Sequence, residues 1–410
     1  MKFLPFSLAC LAFLAALSPV SLAQDSPRFR GPQGDGKFAG EQLLKSWPEG
    51  GPALAWTARG LGAGYSSPSI ANGVIYVSGM TPDETGRIFL LHMDGSAAGD
   101  IPYGKETLNP QAPGPRSTPT IEDDRLYILS GLGVVYCVDL AGKTVLWQVD
   151  LLDRFQAENT TWNYAESLLI DGDNVICTPG GKLGLIAALN KDTGETVWAT
   201  TGLQDMASYC SPTIAVHNGH RILLTETAKF VVGVNPGTGA LLWSHPHETE
   251  YDIHAVTPIY DKGLVYYSGG YGSGGGALEL SEDAASVTLK WTDQTLDCQH
   301  HGVVLVDGYL YGTSQKGRLV CLEMATGQEM WQTREVRQGV TIYADGMLYV
   351  YEGPQRGVVS LVKAQPGGFE RTGQFTVTEG DGNHWAHPVI VDGLLYIRHG
   401  DALLAYRVKE

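Results

Sequence analysis

Polar and aromatic side chains recur at one place in a repeated unit of this sequence, just before a short apolar stretch. His, Tyr and Arg recur there, and neutral imidazole can also bind transition metals. If folding brings the copies together, these side chains should form one polar recognition site. The residues that we expect to bind a ligand or partner are Tyr65, Arg116, Tyr209, His254, His301 and His384.

Arg116 would suit a carboxylate or phosphate, because guanidinium offers a fixed fork of donors to such anions. The histidines would make binding depend on pH between about 5 and 8, where unperturbed imidazole titrates. The alternative is a solvated or mutually hydrogen-bonded rim without chemical consequence. We predict no catalytic residue, because no Ser-His-Asp order, HExxH motif or paired carboxylates stand out from chance.

The repeated unit begins with a hairpin pattern: an apolar stretch, a turn of the Asp-Gly or Asn-Gly kind, and a second apolar stretch. Eight copies follow one another at intervals of about 40 to 50 residues. They begin near Tyr65, Arg116, Tyr164, Tyr209, His254, His300, Gly339 and His384.

A second phrase follows the hairpin in four copies and carries Thr-Gly or Ala-Gly before a Trp, at 137–147, 188–198, 233–243 and 321–331. The two phrases together predict four antiparallel strands per copy, the content of one propeller blade. We therefore predict an all-β fold, an eight-bladed β-propeller of four-stranded blades.

The two ends of the repeat region complement each other. The last copy stops after residues 402–408 without a Trp-bearing strand, whereas residues 53–58, with Trp56, resemble an isolated fourth strand. We predict that they pair and close the ring, which removes exposed strand edges. In the first copy, residues 101–114 contain no Trp, and its fourth strand is left open.

Residues 1–23 have the pattern of a secretory signal peptide: Lys2, an apolar core over 3–17, and a small-x-small site ending at Ala23. The segment is too short for a membrane span, and Cys10 lies too early for lipid attachment. We expect an exported protein, periplasmic or secreted, that begins at Gln24. Residues 24–52 should form an irregular N-terminal arm, and 53–410 the propeller.

Charge and cysteine content exclude several classes of function. The formal net charge is −16, and removal of the signal segment makes it more negative. This argues against nucleic acid and anionic lipid as partners. The five cysteines after residue 23 show no Cys-x-x-Cys spacing, so we predict no zinc site and no required disulfide framework. We also expect a monomer.

The Trp-bearing phrase resembles the tryptophan-docking motif of the pyrroloquinoline-quinone (PQQ)-like β-propellers, over about residues 53–408. Residues 27–36, 46–70 and 155–181 are similar to exported bacterial members of this superfamily that lack an assigned activity. The resemblance implies that the repeated Trp side chains dock between neighbouring blades. These are Trp147, Trp198, Trp243, Trp291 and Trp331.

The superfamily contains two functional types. One is a non-enzymatic scaffold, the propeller lipoprotein of outer-membrane β-barrel assembly. The other is the quinoprotein alcohol dehydrogenases, which use PQQ with Ca²⁺ and, in well-known members, a disulfide between adjacent cysteines. No adjacent Cys pair occurs here. We therefore expect a cofactor-free scaffold for protein or small-molecule partners; the alternative is a PQQ-dependent alcohol or sugar dehydrogenase.

Overall fold

The computed structural model describes residues 25–409, so the predicted signal peptide and its cleavage after Ala23 lie outside the described residues. Eight four-stranded antiparallel sheets follow one another along the chain. This confirms the predicted eight-bladed propeller. One five-residue helix, α1 (Leu151–Phe155), links the second and third blades and is capped by the Asp150 side chain.

Two strands precede the first blade: β1 (Lys37–Phe38) and β2 (Leu54–Ala58). The first four blades each use consecutive strands. These are β3 (Ser69–Ala71), β4 (Val74–Met80), β5 (Thr85–His92) and β6 (Ala97–Lys105); β7 (Thr120–Glu122), β8 (Arg125–Leu129), β9 (Val134–Asp139) and β10 (Thr144–Asp150); β11 (Leu169–Asp171), β12 (Asn174–Cys177), β13 (Ala187–Asn190) and β14 (Thr196–Ala199); and β15 (Thr213–His217), β16 (His220–Glu226), β17 (Phe230–Val234) and β18 (Leu241–Pro246).

The fifth to seventh blades also use consecutive strands, and the eighth combines the two ends of the chain. These are β19 (Ile259–Asp261), β20 (Leu264–Ser268), β21 (Gly275–Leu280) and β22 (Val287–Asp293); β23 (Val304–Val306), β24 (Tyr309–Ser314), β25 (Arg318–Glu323) and β26 (Glu329–Thr333); β27 (Gly339–Ala344), β28 (Met347–Glu352), β29 (Val358–Lys363) and β30 (Arg371–Thr376); and β31 (Val389–Val391), β32 (Leu394–His399) and β33 (Ala402–Arg407) with β2.

Ring closure occurs as predicted, because β2 pairs antiparallel with β33 and places Trp56 opposite Ala405. The first blade has a complete fourth strand, β6, although its sequence contains no Trp.

The fourth-strand tryptophans share a local geometry that the sequence pattern does not reveal. Each follows a β-bulge, in which one residue is skipped in the pairing with the third strand. The residue opposite the Trp is always small. The pairs are Trp147 with Cys137, Trp198 with Ala188, Trp243 with Gly233, Trp291 with Ala277, Trp331 with Cys321, and Trp56 with Ala405.

Five of these rings bind the next blade through a backbone carbonyl, at N···O distances of 2.8 to 3.2 Å. The acceptors are Met93 for Trp56, Lys191 for Trp147, Pro236 for Trp198, Met324 for Trp291 and Gln365 for Trp331. The Nε1 of Trp243 has no partner within residues 25–409. Its ring belongs to the same buried cluster as Leu280 and Ala284 of the fifth blade, whose turn has no Thr-Gly.

Where the next blade carries a Thr-Gly turn, the docked ring lies directly on its Gly. A Cβ at Gly239 would lie 2.4 Å from Trp198, and one at Gly194 would lie 2.8 Å from Trp147. Both glycines also have φ near +70°, which favours Gly. The repeated phrase therefore encodes a contact between blades: the Trp of one copy and the Gly of the next.

In the first and seventh blades the small residue lies on the fourth strand and the large one on the third, the reverse of the Trp-bearing blades. Gly99 and Gly373 occupy the Trp position after the bulge, and their partners are Leu90 and Leu361. In the seventh blade the arm covers the resulting gap. The backbone and Cβ of Trp47 lie against Gly373, where an added Cβ would approach within 2.8 Å.

The N-terminal arm crosses the inner strands of several blades. Its β1 adds to β27 in parallel. Further backbone contacts join Ser26 to Ile70, Pro27 to Ile121, and Gly36 to Tyr343, and the Arg30 side chain donates to the carbonyl of Val303. The arm therefore spans from the first blades to the seventh, over the inner ends of the sheets.

Replacement of a docked Trp should loosen the ring at one interface. For Trp198→Ala we expect a loss of about 3–5 kcal/mol in the free energy of unfolding, because a buried indole and its bond to Pro236 are removed. Urea denaturation followed by circular dichroism measures this. The control Val197→Ala changes the skipped bulge residue, which is 52% exposed, and should cost less than about 0.5 kcal/mol. Equal losses in the two variants would contradict the docking role.

Candidate functional site

A cavity of about 350 Å³ opens where the inner strands of the blades converge. Its lining is rich in aromatic rings, which come from the segments that precede the first strands, from loops and from the arm. The residues that line it are Phe29, Tyr65, Ser67, Gln111, Ala112, Arg116, Trp162, Ala165, Tyr209, Ser211, Tyr251, Ile253, Ala255, Tyr271, Gln299, His300, Trp385 and His387.

Three of the six predicted site residues line this cavity: Tyr65, Arg116 and Tyr209. They come from the first, second and fourth sequence copies. The tilted rings of Tyr65 and Trp385 lie 5.2 Å apart. The Tyr209 hydroxyl accepts a bond from the backbone N–H of Trp162 at 3.1 Å. The fold therefore gathers residues that lie far apart in the sequence.

The other three predicted residues, His254, His301 and His384, do not line the cavity. They are buried, and each packs against a second histidine. His301 packs against His300, with ring centroids 4.0 Å apart, and His384 stacks on His399 at 3.8 Å. His384 also bonds to the hydroxyl of Tyr351. These histidines support the wall of the cavity and are not part of its surface.

Several residues that line the cavity were not among the predicted site residues, although two of them are neighbours of predicted residues in the sequence. His300 is the immediate neighbour of His301, and Trp385 is the neighbour of His384, so each chosen position was off by one residue. A strand alternates its faces, but these residues lie in loops, where periodicity gives no direction. Tyr251, Tyr271 and Gln299 are loop residues without a repeat signal. Only the structure assigns them to the cavity.

Arg116 supplies the positive charge of the cavity. Its Nη2 donates to the backbone carbonyl of Asn163 at 3.2 Å, while its Nε has no partner among the residues that the structure describes. Burial lowers its pKa, and the neighbouring Tyr209 and Glu106 oppose that change. Guanidinium remains charged in proteins, so the cavity contains a partly desolvated cation.

Two further buried guanidinium groups lie close to the channel. Arg30 donates to the Val303 carbonyl at 2.6 Å, and Arg398 donates to Ser66 Oγ at 2.6 Å. Within residues 25–409, neither of these groups nor Arg116 forms an ion pair with a carboxylate. The channel mouth is therefore locally positive although the protein as a whole is acidic.

The histidines of this region are held neutral. Burial and the Arg116 charge lower the pKa of His300 to about 4. Burial and the neighbouring His399 lower the pKa of His384 to about 4 as well. The expected change of charge between pH 5 and 8 therefore does not hold for these two rings. At neutral pH they act as uncharged hydrogen-bonding groups.

Two buried carboxyl groups lie beneath the cavity. Burial raises the pKa of Glu106 to about 7 and that of Glu166 to about 8. Glu166 directly follows the lining residue Ala165; its Oε2 accepts from Thr178 N at 3.0 Å, and its Oε1 has no partner in the described structure. Glu166 is accordingly protonated and neutral at pH 7.

The cavity does not fit the calcium-assisted quinone site that the fold resemblance implies. Calcium takes six to eight oxygen ligands and favours carboxylates. Of the residues that line the cavity, none is Asp or Glu; its side-chain oxygen atoms belong to Ser, Tyr and Gln. A guanidinium is present instead, which would repel a cation.

The buried Glu166 should make stability depend on pH. Its pKa is raised in the folded protein, so its contribution is favourable at low pH and is lost as pH rises from about 4.5 to 8. We expect Glu166→Gln to gain stability relative to wild type over this range, by at most about 1.4 kcal/mol per pH unit. Urea denaturation at pH 5, 6, 7 and 8 measures the difference. The exposed Glu158→Gln is the control and should show no such slope; a pH-independent difference for Glu166→Gln would contradict the buried acid.

No helix among residues 25–409 has the length and hydropathy that a membrane span requires.

The chain resembles known proteins at low identity. It is 23% identical over 238 residues to the outer membrane protein assembly factor BamB of Shewanella oneidensis, a match that covers 53% of this chain and 56% of the relative. The same factor from Kangiella koreensis is 26% identical over 149 residues, 36% of this chain and 34% of the relative. These matches span about half or less of each relative's length.

Solved structures show the same fold. BamB from Moraxella catarrhalis superposes with a TM-score of 0.63 at 15% identity, over 87% of this chain and 99% of that one. Quinohemoprotein alcohol dehydrogenase from Comamonas testosteroni gives a TM-score of 0.68 at 12% identity, over 94% and 81%. Likeness at these identities establishes the propeller and does not separate the two functional types.

A family model shows the family to which the chain belongs. The model PQQ_2, described as outer membrane protein assembly factor BamB, matches residues 93–333. This region is more than half of the chain. It includes the fourth-strand tryptophans of the second to sixth blades. The protein therefore belongs to the PQQ_2 family of outer membrane protein assembly factor BamB.

Proposed function

We propose that this protein is an exported, non-enzymatic scaffold in outer membrane protein assembly, and that it binds a partner at the channel mouth. Membership of the family and the names of the relatives support the cellular role. The observation that carries the binding role is the composition of the cavity: aromatic walls, one guanidinium and no carboxylate among its lining residues.

Such a cavity suits an aromatic group that carries a negative charge. Flat rings such as Trp162 and Trp385 can stack on an aromatic partner, an interaction worth about 0.5–1.5 kcal/mol beyond area burial. Arg116 can bind a carboxylate with two parallel bonds. Gln299 and Tyr271, which bond to each other, add neutral donors and acceptors at the rim. An acidic, aromatic segment of a partner protein meets these requirements.

The same lining argues against catalysis. General base catalysis needs a group that titrates near the working pH, whereas the pKa of His300 is about 4 and that of His387 is far below the usual value because of burial and the charge of Arg30. No lining residue is a Cys, Lys, Asp or Glu. Oxidation by PQQ remains the alternative, because quinohemoprotein alcohol dehydrogenase shares the propeller fold.

Binding should depend on the charge of the ligand and on Arg116. We expect 4-hydroxybenzoate, as a probe, to quench the fluorescence of the cavity tryptophans and to bind at least about tenfold more tightly than the neutral 4-hydroxybenzamide, because only the acid pairs with guanidinium. Arg116→Gln should abolish this preference. The matched control is Arg125→Gln, since Arg125 is not among the residues that line the cavity and is paired with Asp192 of the third blade.

Equal binding of the acid and the amide, or an unchanged preference in Arg116→Gln, would contradict the anion site. Turnover is tested separately with PQQ and Ca²⁺ and a dye as the electron acceptor. Dye reduction with alcohols or sugars would replace the scaffold proposal by the dehydrogenase alternative.

Loss of the protein should affect the outer membrane. In the source bacterium, we expect deletion of the gene to lower the amounts of outer-membrane barrel proteins, as measured by quantitative proteomics of isolated membranes. Wild type and Arg125→Gln should restore these amounts, and Arg116→Gln should restore them only in part. Unchanged amounts after deletion would contradict the role in assembly and leave the binding measurements standing.

A further inference from the structure

A buried cluster of Glu226, His247 and His254 lies at the end of the fourth blade, behind the cavity wall. Glu226 is the last residue of β16, His247 follows β18, and His254 stands in the connection to β19. All three are at least nine-tenths buried. One ligand atom from each lies within 4.8 Å of the other two.

The spacing of these atoms matches the coordination shell of a small cation. Glu226 Oε2 lies 2.9 Å from His247 Nδ1 and 3.2 Å from His254 Nδ1. Ligands at 2.0–2.1 Å from a tetrahedral zinc ion are separated by roughly 3.3 Å. Two imidazoles and one carboxylate are also ligand types that divalent first-row metals accept together.

Hydrogen bonding alone leaves this cluster poorly satisfied. Both imidazoles approach the same carboxylate oxygen, and the other oxygen, Oε1, has no partner within residues 25–409. The far nitrogens, Nε2 of His247 and Nε2 of His254, are also without partners there. Buried polar atoms without partners are rare in native proteins. Among the described residues, no Lys or Arg pairs with Glu226 to balance its charge.

We propose that Glu226, His247 and His254 form a binding site for a divalent transition-metal ion of the zinc type. This site differs from the prediction of no zinc site, which rested on the spacing of the cysteines. The ligands here are separated by 21 and 7 residues along the chain. Glu226 comes close to the histidines only because β16, β17 and β18 are neighbouring strands of one sheet. The proposal is independent of the proposed function.

The ion would tie the cavity wall to the sheet. The connection that carries His247 and His254 also supplies Tyr251, Ile253 and Ala255 to the cavity lining. The backbone N–H of His254 donates to Ser208 Oγ at 2.7 Å, and its carbonyl accepts from Tyr209 N at 2.9 Å. A metal at this point would therefore fix a loop that otherwise relies on a few hydrogen bonds.

The test uses the tag-free full-length mature protein, because a polyhistidine tag would bind the metal itself. After treatment with a chelator, Co²⁺ is added and the visible d–d absorption is followed. We expect one Co²⁺ per chain, displaced by Zn²⁺, and a rise in the melting temperature of about 2 °C or more with saturating Zn²⁺. Absence of stoichiometric binding in wild type would overturn the proposal.

Variants locate the ion. His247→Asn and Glu226→Gln should each weaken Co²⁺ binding at least about 100-fold, whereas His399→Asn, in the separate His384–His399 stack, should bind as wild type. Unchanged affinity in both cluster variants would overturn the assignment. If the variants fail to fold, pulsed electron paramagnetic resonance of Cu²⁺ in wild type decides: two coordinated imidazoles support the site, and one or none overturns it.

Discussion

The docking of a fourth-strand Trp on the following blade is the constraint on which the rest of the structure depends. A β-bulge turns the ring out of its own sheet, a small residue opposite leaves room for it, and a Gly on the next blade receives it. At these interfaces the small partner leaves room for the ring, and the Gly lets it approach the next blade closely. Because a Trp occupies this position in six of the eight described blades, docking fixes most blades relative to their neighbours. The inner strands then converge at one point.

This convergence explains the character of the channel mouth. Residues that precede inner strands must share a narrow space, so some reach the cavity and others are buried behind its lining. Tyr65, Arg116 and Tyr209 reach it, while His254 and His384 are buried. Burial costs an imidazolium more than a neutral ring, which is why His384 stays uncharged. The same crowding keeps Glu166 protonated. Arg116, which cannot lose its proton, is left as the charge that a ligand meets.

The sequence predicts the parts of this fold that are periodic. The eight hairpins, the Trp-bearing strand and ring closure through Trp56 all follow from the repeat, and the structure confirms them. The repeat does not indicate which way a loop side chain points. His301 and His384 were therefore predicted as site residues, whereas their neighbours His300 and Trp385 line the cavity. The repeat also could not reveal the fourth strand of the first blade. In that strand Gly99 takes the place of the Trp and pairs with the bulky Leu90. This reversal of large and small residues is visible only once the strand register is known.

The arm shows how an irregular segment can complete a repetitive fold. The seventh blade has Gly373 where other blades have Trp, and a gap there would leave Leu361 and its neighbours poorly packed. Trp47 fills this position from outside the repeat, with its ring 5.3 Å from that of Phe375. The same arm inserts Arg30 among the inner strands and Phe29 into the cavity wall. Packing of the seventh blade and the shape of the binding cavity are thus coupled through one segment. Because Ser26, Pro27 and Arg30 bond at the inner strands of three blades, the arm holds Phe29 in the cavity wall through the same convergence that gathers Tyr65 and Arg116.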